Sequence, residues 1–138
     1  MKKAMLLASL VALALAASAF AANGGGPVKS SSSISLVMVN SAGATPAAAS
    51  SPSYGDSVTF DVSTTATQYP YVNLLCYQNG VLVAEGWAGF FEGALGNRTF
   101  ALYSPQWTGG EANCTAWLDM NSHGRWKQLA STSFHVNA

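Results

Sequence analysis

Cys76 and Cys114 are the only two cysteines in a chain of 138 residues, and with His123, His135 and six carboxylates they are the side chains capable of chemistry. A redox pair would want C-x-x-C, and a zinc site would want two further ligands at close spacing. Neither pattern is present. Two cysteines 38 positions apart in an exported chain most simply form one disulfide. Serines are plentiful, but none lies in a G-x-S-x-G context that would turn it into a nucleophile with a histidine as base. His123 sits beside Gly124 in a turn sequence and reads as solvated, and His135 alternates outward from Phe134 and Val136. The carboxylates are scattered, without the D-x-D spacing of a calcium loop or the pairing that glycoside hydrolysis needs. The expectation is a protein that is not an enzyme and carries no metal and no cofactor.

Those residues must be positioned by whatever follows the amino terminus. "MKKAMLLASLVALALAASAFAA" places two lysines before an apolar run and ends in Ala19 and Ala21 flanking Phe20, a secretory signal peptide (1–21) cut after Ala21. Its apolar core, Ala4 to Ala17, is 14 residues long. A spanning helix needs about 20, so no membrane insertion is expected after cleavage, and the localisation expected is secreted or periplasmic. The remaining 117 residues suit one domain with one core. Four basic residues (Lys29, Arg98, Arg125, Lys127) face six acidic ones, a net charge of minus two, with no basic patch for nucleic acid. A surface so poor in charge must be built from Ser, Thr, Asn, Gly and exposed aromatics.

The segment 22–33 is Gly- and Ser-rich and reads as a flexible leader, leaving 34–138 as the folded domain. "ISLVMVN" reads as a strand, and "SAGATPAAASSPSYG" could hide a short edge segment, but its Pro46 and Pro52 argue for a loop. "GDSVTFDV" alternates with Val58, Phe60 and Val62 inward. "YPYVNLLCYQNG" puts Val72, Leu74 and Cys76 inward, and its Asn79-Gly80 pair calls for a type I′ hairpin into "VLVAEGW". One of Phe90 and Phe91 should pack inward. "NRTFALYS" reads as a strand with Phe100 and Leu102 inward, and "EANCTAWLDM" as another with Ala112, Cys114, Ala116 and Leu118 inward. "WKQLASTSFHV" closes the domain, bulged near Ala130 or Ser131 so that Trp126 and Phe134 both reach the core. No segment holds a helical period over three turns. About seven antiparallel strands with turn signals between them imply an all-β sandwich.

In "GDSVTFDV", "LLCYQNG", "YSPQWTGGEANCTA" and "WKQLASTSFHV" the chain resembles an immunoglobulin-like (Ig-like) domain over residues 34 to 136, closest to small bacterial and phage Ig-like proteins. The resemblance implies an Ig-like β-sandwich in which these are the second, third, sixth and seventh strands. It also implies departures. Val62 occupies the second-strand cysteine position, Cys76 stands where the core tryptophan usually stands, and Ala112 replaces the corner tyrosine. Cys76 to Cys114 would then bridge neighbouring strands within one sheet rather than the two sheets.

With the third and sixth strands adjacent, their outer face collects Tyr71, Asn73, Leu75, Tyr77, Trp117 and Asp119, with Asn113 and Thr115. Flat rings beside amides suit a sugar, and such a face equally suits a partner sheet. The binding residues expected are Tyr71, Asn73, Tyr77, Trp117 and Asp119, extended by the loops at 88–95 and 121–125. Trp87, Trp107 and Trp126 border turns and read as lids on the core. The functional expectation is a secreted, non-catalytic recognition or adhesion module for a protein or carbohydrate. The alternative is a structural subunit of a cell-surface, fimbrial or virion assembly.

Overall fold

The structure is a computed structural model that describes residues 29–40, 43–46 and 51–138. The signal peptide and the leader as far as residue 28 lie outside the described residues. Eight strands form: β1 (Ser32–Asn40), β2 (Gly43–Pro46), β3 (Ser57–Thr64), β4 (Tyr71–Gln78), β5 (Val81–Gly89), β6 (Phe100–Ala101), β7 (Ala112–Ser122) and β8 (Arg125–Val136). They make two antiparallel four-stranded sheets, ordered β2-β1-β3-β6 and β5-β4-β7-β8. Among the described residues there is no helix. This is the all-β sandwich expected, with the short β2 added to its seven strands.

The alternating sequences produce the inner faces directly, because successive strand residues point to opposite sides. Val58 and Phe60 on β3, Val72, Leu74 and Cys76 on β4, and Ala112, Cys114, Ala116 and Leu118 on β7 are all buried. Both hairpin turns use left-handed backbone. Asn79 and Gly80 have φ of 48° and 80°, and His123 and Gly124 have 53° and 78°, as two-residue I′ turns require. Cys76 lies opposite Cys114 in the β4–β7 register, and the two form a disulfide with a Cα separation of 4.1 Å. The bridge therefore staples neighbours within one sheet.

Trp107, in the connection from β6 to β7, is fully buried. Its Nε1 donates to the Gly110 carbonyl at 3.1 Å, its ring packs on Tyr54 at 5.5 Å, and its backbone N–H donates to Ser104 Oγ. Gln78 Nε2 donates to the carbonyls of Gly109 and Glu111, each at 2.9 Å, holding the same connection to the end of β4. The buried indole thus anchors the connection that leads into β7. At the chain end, Asn137 exchanges backbone bonds with Pro52 and Tyr54, tying β8 to the segment before β3.

Several local expectations need correction. The loop expected at 41–55 contains β2, an edge strand on which Pro46 is tolerated because no ladder bond is asked of it on the free side. β1 begins at Ser32, inside the expected leader, because Ser32 and Ser33 pair with Thr64 and Ser63. "NRTFALYS" contributes only Phe100 and Ala101 to the ladder, since Asn97 Oδ1 accepts from the Thr99 N–H in a local turn and Ser104 opens another. The bulge on β8 falls at Leu129, one residue from the expected place, and Trp126 is not a core residue. Residues 126 and 134 are an even number apart, so one extra residue between them sends their side chains to opposite faces. Phe134 packs on the core while Trp126 stands on the outer face.

Candidate functional site: the aromatic outer face of the β5-β4-β7-β8 sheet

The register brings the expected residues onto one face. Tyr71 lies opposite Asp119, Asn73 opposite Trp117, Leu75 opposite Thr115 and Tyr77 opposite Asn113. β5 extends this face with Glu85 opposite Leu75 and Trp87 opposite Asn73. β8 extends it with Gln128 opposite Asp119 and Trp126 opposite Asn121.

The face has two different halves. Towards the Asn79-Gly80 turn it is polar and satisfied internally: Thr115 Oγ1 and Ser133 Oγ are 2.9 Å apart, and His135 Nδ1 lies 3.0 Å from Asn113 Oδ1, with Glu111 3.9 Å from Nε2. Towards the other end it is aromatic. Tyr71 and Trp87 stack in parallel at 4.5 Å and 7°, and Trp126 meets both edge-to-face, at 5.3 Å from Tyr71 and 5.6 Å from Trp87. Phe91 meets Tyr71 edge-on at 5.4 Å and Tyr69 at 5.3 Å. Offset stacks and edge-to-face pairs at these distances are the favoured arrangements of ring quadrupoles. Even so, Trp87 is 55% exposed and Trp126 54%.

Local sequence explains how the rings converge. Phe90 and Phe91 split as expected: Phe90 faces the core beside Phe60 and Phe100, and Phe91 turns outward. Phe91 lies where a side chain on Gly89 would be, since a Cβ there would stand 2.7 Å from Phe91 Cε1 and 2.9 Å from the Ala94 Cβ. Arg98 holds the loop in place, its Nη2 donating to the Phe91 carbonyl at 2.7 Å and its guanidinium 5.8 Å from the Phe90 ring centre.

Asp119 is a charged member of the aromatic half. Its pairing partner Tyr71 carries Trp126 at 5.3 Å, and burial pushes its carboxyl above the ordinary carboxylate range. Tyr77, in contrast, stands six residues along β4 from Tyr71, roughly 20 Å at strand rise. The five expected residues share one face, but a small ligand at Tyr71 does not reach Tyr77. Trp87 and Trp126, expected as core lids, are the exposed rings of the cluster; Trp107 alone of the three is a core residue.

Trp87 stands between two hollows. One, of about 390 Å³, is lined by Asn73, Glu85, Gly86 and Trp87. The other, of about 320 Å³, is lined mainly by Tyr71, Trp87, Gly89, Phe91, Ala94 and Leu95. Among the described residues no three of His, Cys, Asp and Glu gather into a metal-binding group. No protein-family model, curated protein or solved structure matches the chain.

Proposed function

We propose that the protein is an exported, non-catalytic recognition module whose contact surface is the aromatic half of the β5-β4-β7-β8 outer face. One observation carries this reading: Trp87 and Trp126 are more than half exposed while held in a fixed constellation with Tyr71. Exposed indoles that pack only on one another leave apolar area in water, a cost that binding removes. Rings already fixed by their neighbours lose little rotamer freedom on binding, which favours affinity. The disulfide accords with an oxidising compartment, as the amino-terminal sequence suggests.

A second reading, a subunit of a surface assembly, draws on β5, which ends its sheet with one edge not paired to any described strand. Free strand edges are templates for pairing with another chain. Sedimentation and acrylamide quenching of the mature protein separate the two. A recognition module stays monomeric with quenchable indoles as its concentration rises, whereas an assembly subunit grows in mass and shields them.

A further inference from the structure

We infer that the outer face holds a subsite for a neutral pyranose, with Trp87 as its stacking platform and Asn73 and Glu85 as its polar readers. The inference rests on the recognition reading above and names its ligand class.

One face of the Trp87 indole is covered by Tyr71, parallel at 4.5 Å, yet the residue remains 55% exposed. Trp87 also lines the hollow of about 390 Å³ whose other walls are Asn73, Glu85 and Gly86. A pyranose has one face of C–H groups carrying slight positive charge, which suits the negative face of an indole. Its rim of hydroxyls both donates and accepts. Asn73 offers an amide that does both, and Glu85 offers a carboxylate that accepts. Gly86 brings no side chain into the hollow, and its Cβ position is closed by the core: an added Cβ would lie 2.5 Å from Phe100 Cδ1. The floor of the subsite is therefore bare backbone backed by a fixed ring.

On the other flank of Trp87, the hollow of about 320 Å³ beside Tyr71, Phe91 and Leu95 is large enough to continue the platform. Leu95 is 96% exposed at its rim. The site thus suits an oligosaccharide lying across the indole edge better than a single sugar.

Charge narrows the class. The ionisable groups on this part of the face are Glu85 and Asp119, while Arg98 is engaged with the Phe91 carbonyl and Lys127 is paired opposite Met120, off the outer-facing register. A carboxylate reader repels uronates and sulfated glycans. The rings of the cluster touch one another at 4.5 to 5.6 Å, so no cation fits between them. A protein partner would need roughly 800 Å² on this side. The paired walls around one indole make a far smaller site.

The test is an NMR and indole-fluorescence titration of the mature, oxidised protein with cellohexaose, xylohexaose, chitohexaose and maltohexaose, with polygalacturonate as the anionic control. At least one neutral hexasaccharide is expected to shift the Asn73, Glu85 and Trp87 signals. Trp87→Ala should weaken it at least tenfold, Trp87→Phe much less, and Glu85→Gln should allow polygalacturonate to compete better than it does with wild type. A shift that survives Trp87→Ala overturns the subsite. No response to any hexasaccharide, on a monomer whose indoles remain quenchable, overturns the sugar inference and leaves the recognition reading standing. Self-association that shields Trp87 overturns both.

Discussion

Trp87 and Trp126 lie on the two outermost strands of a four-stranded sheet, yet their ring centres are only 5.6 Å apart. Neighbouring strands are about 4.8 Å apart, so three intervals put their backbones well over twice that distance from each other. The two indoles close this gap by arching over the central strands, with Tyr71 of β4 in contact with both. On β5 a bulge places the indole there, and on β8 the register of the His123-Gly124 hairpin does. Counted back from the Asn79-Gly80 turn, Trp87 would oppose Val72 on the inner face; the extra residue Val83 shifts the register so that Trp87 opposes Asn73 outside. On β8, Leu129 is the extra residue, which leaves Trp126 outside while turning Phe134 and Val136 inward.

Asp119, paired with Tyr71 beneath this arch, should report on it by titration. Burial raises its folded-state pKa, so the folded protein binds more protons than the unfolded chain between the two values. Stability is then greatest below the unfolded value of about 3.9, falls as pH rises to the raised folded value, and stays reduced above it. Asp119→Asn should raise the thermal midpoint at pH 7 and leave it unchanged at pH 3. Trp126→Ala, by letting water reach the carboxylate, should lower the Asp119 pKa in an NMR titration. An Asp119 resonance that titrates identically in both proteins would mean that the indole does not shield it.

The three tryptophans that border turns should divide by function when truncated. Trp107 is fully buried and donates to Gly110, so Trp107→Ala should cost about 3–5 kcal/mol in urea unfolding. Trp87→Ala removes a half-exposed stack and should cost about 1 kcal/mol. Equal losses at the two positions would mean that Trp87 is structural and that its exposure serves no ligand.

The sequence made the faces of β3, β4 and β7 legible because each alternates without interruption, and it made the disulfide legible because the chain holds only two cysteines behind an export signal and both fall on inward strand positions. The Asn79-Gly80 turn was legible from its backbone requirement. The β5 bulge was not, because an extra Val83 leaves no compositional mark among neighbours as apolar as itself; the β8 bulge was legible to within a residue, but one extra residue between Trp126 and Phe134 sends them to opposite faces rather than to the same one. That is why Tyr71, Asn73, Trp117 and Asp119 could be placed correctly while Trp87 and Trp126 were assigned to the wrong side. Counting register from the hairpin would not have rescued Trp87. The alternative signal was charge: without a bulge Glu85 would face the core opposite Leu74, which an unpaired carboxylate strongly resists.

Glycines 86 and 89 make opposite contributions to the two faces of β5. Gly86→Ala would set a methyl 2.5 Å from Phe100 in the core and should cost about 1–3 kcal/mol as overpacking. Gly89→Ala would collide with Phe91 at 2.7 Å and with the Ala94 Cβ at 2.9 Å, in a loop on the outer face rather than in the core. It should cost less stability but displace Phe91 from Tyr71. Chemical unfolding gives the first difference, and loss of ring-current shifts at Tyr71 gives the second. Displacement in the Gly86 variant rather than the Gly89 variant would refute the assignment of faces.

The disulfide should govern stability without governing the aromatic face. Cys76 and Cys114 are buried on the inner side, next to Tyr77 and Asn113 and five residues along each strand from the Tyr71 and Asp119 pair. At strand rise that is roughly 17 Å. Opening a bridge with a sequence separation of 38 should lower stability by about 4 kcal/mol, because the unfolded chain regains the entropy of the closed loop. The β4–β7 ladder itself persists through its backbone bonds, and Trp87 is set by the β5 bulge rather than by the bridge. The Cys76→Ala, Cys114→Ala double variant should therefore unfold at lower urea yet keep the near-ultraviolet circular dichroism of the stacked Tyr71 and Trp87 rings. Loss of that signal under conditions where the far-ultraviolet strand spectrum is intact would show that the bridge orders the outer face as well as the core.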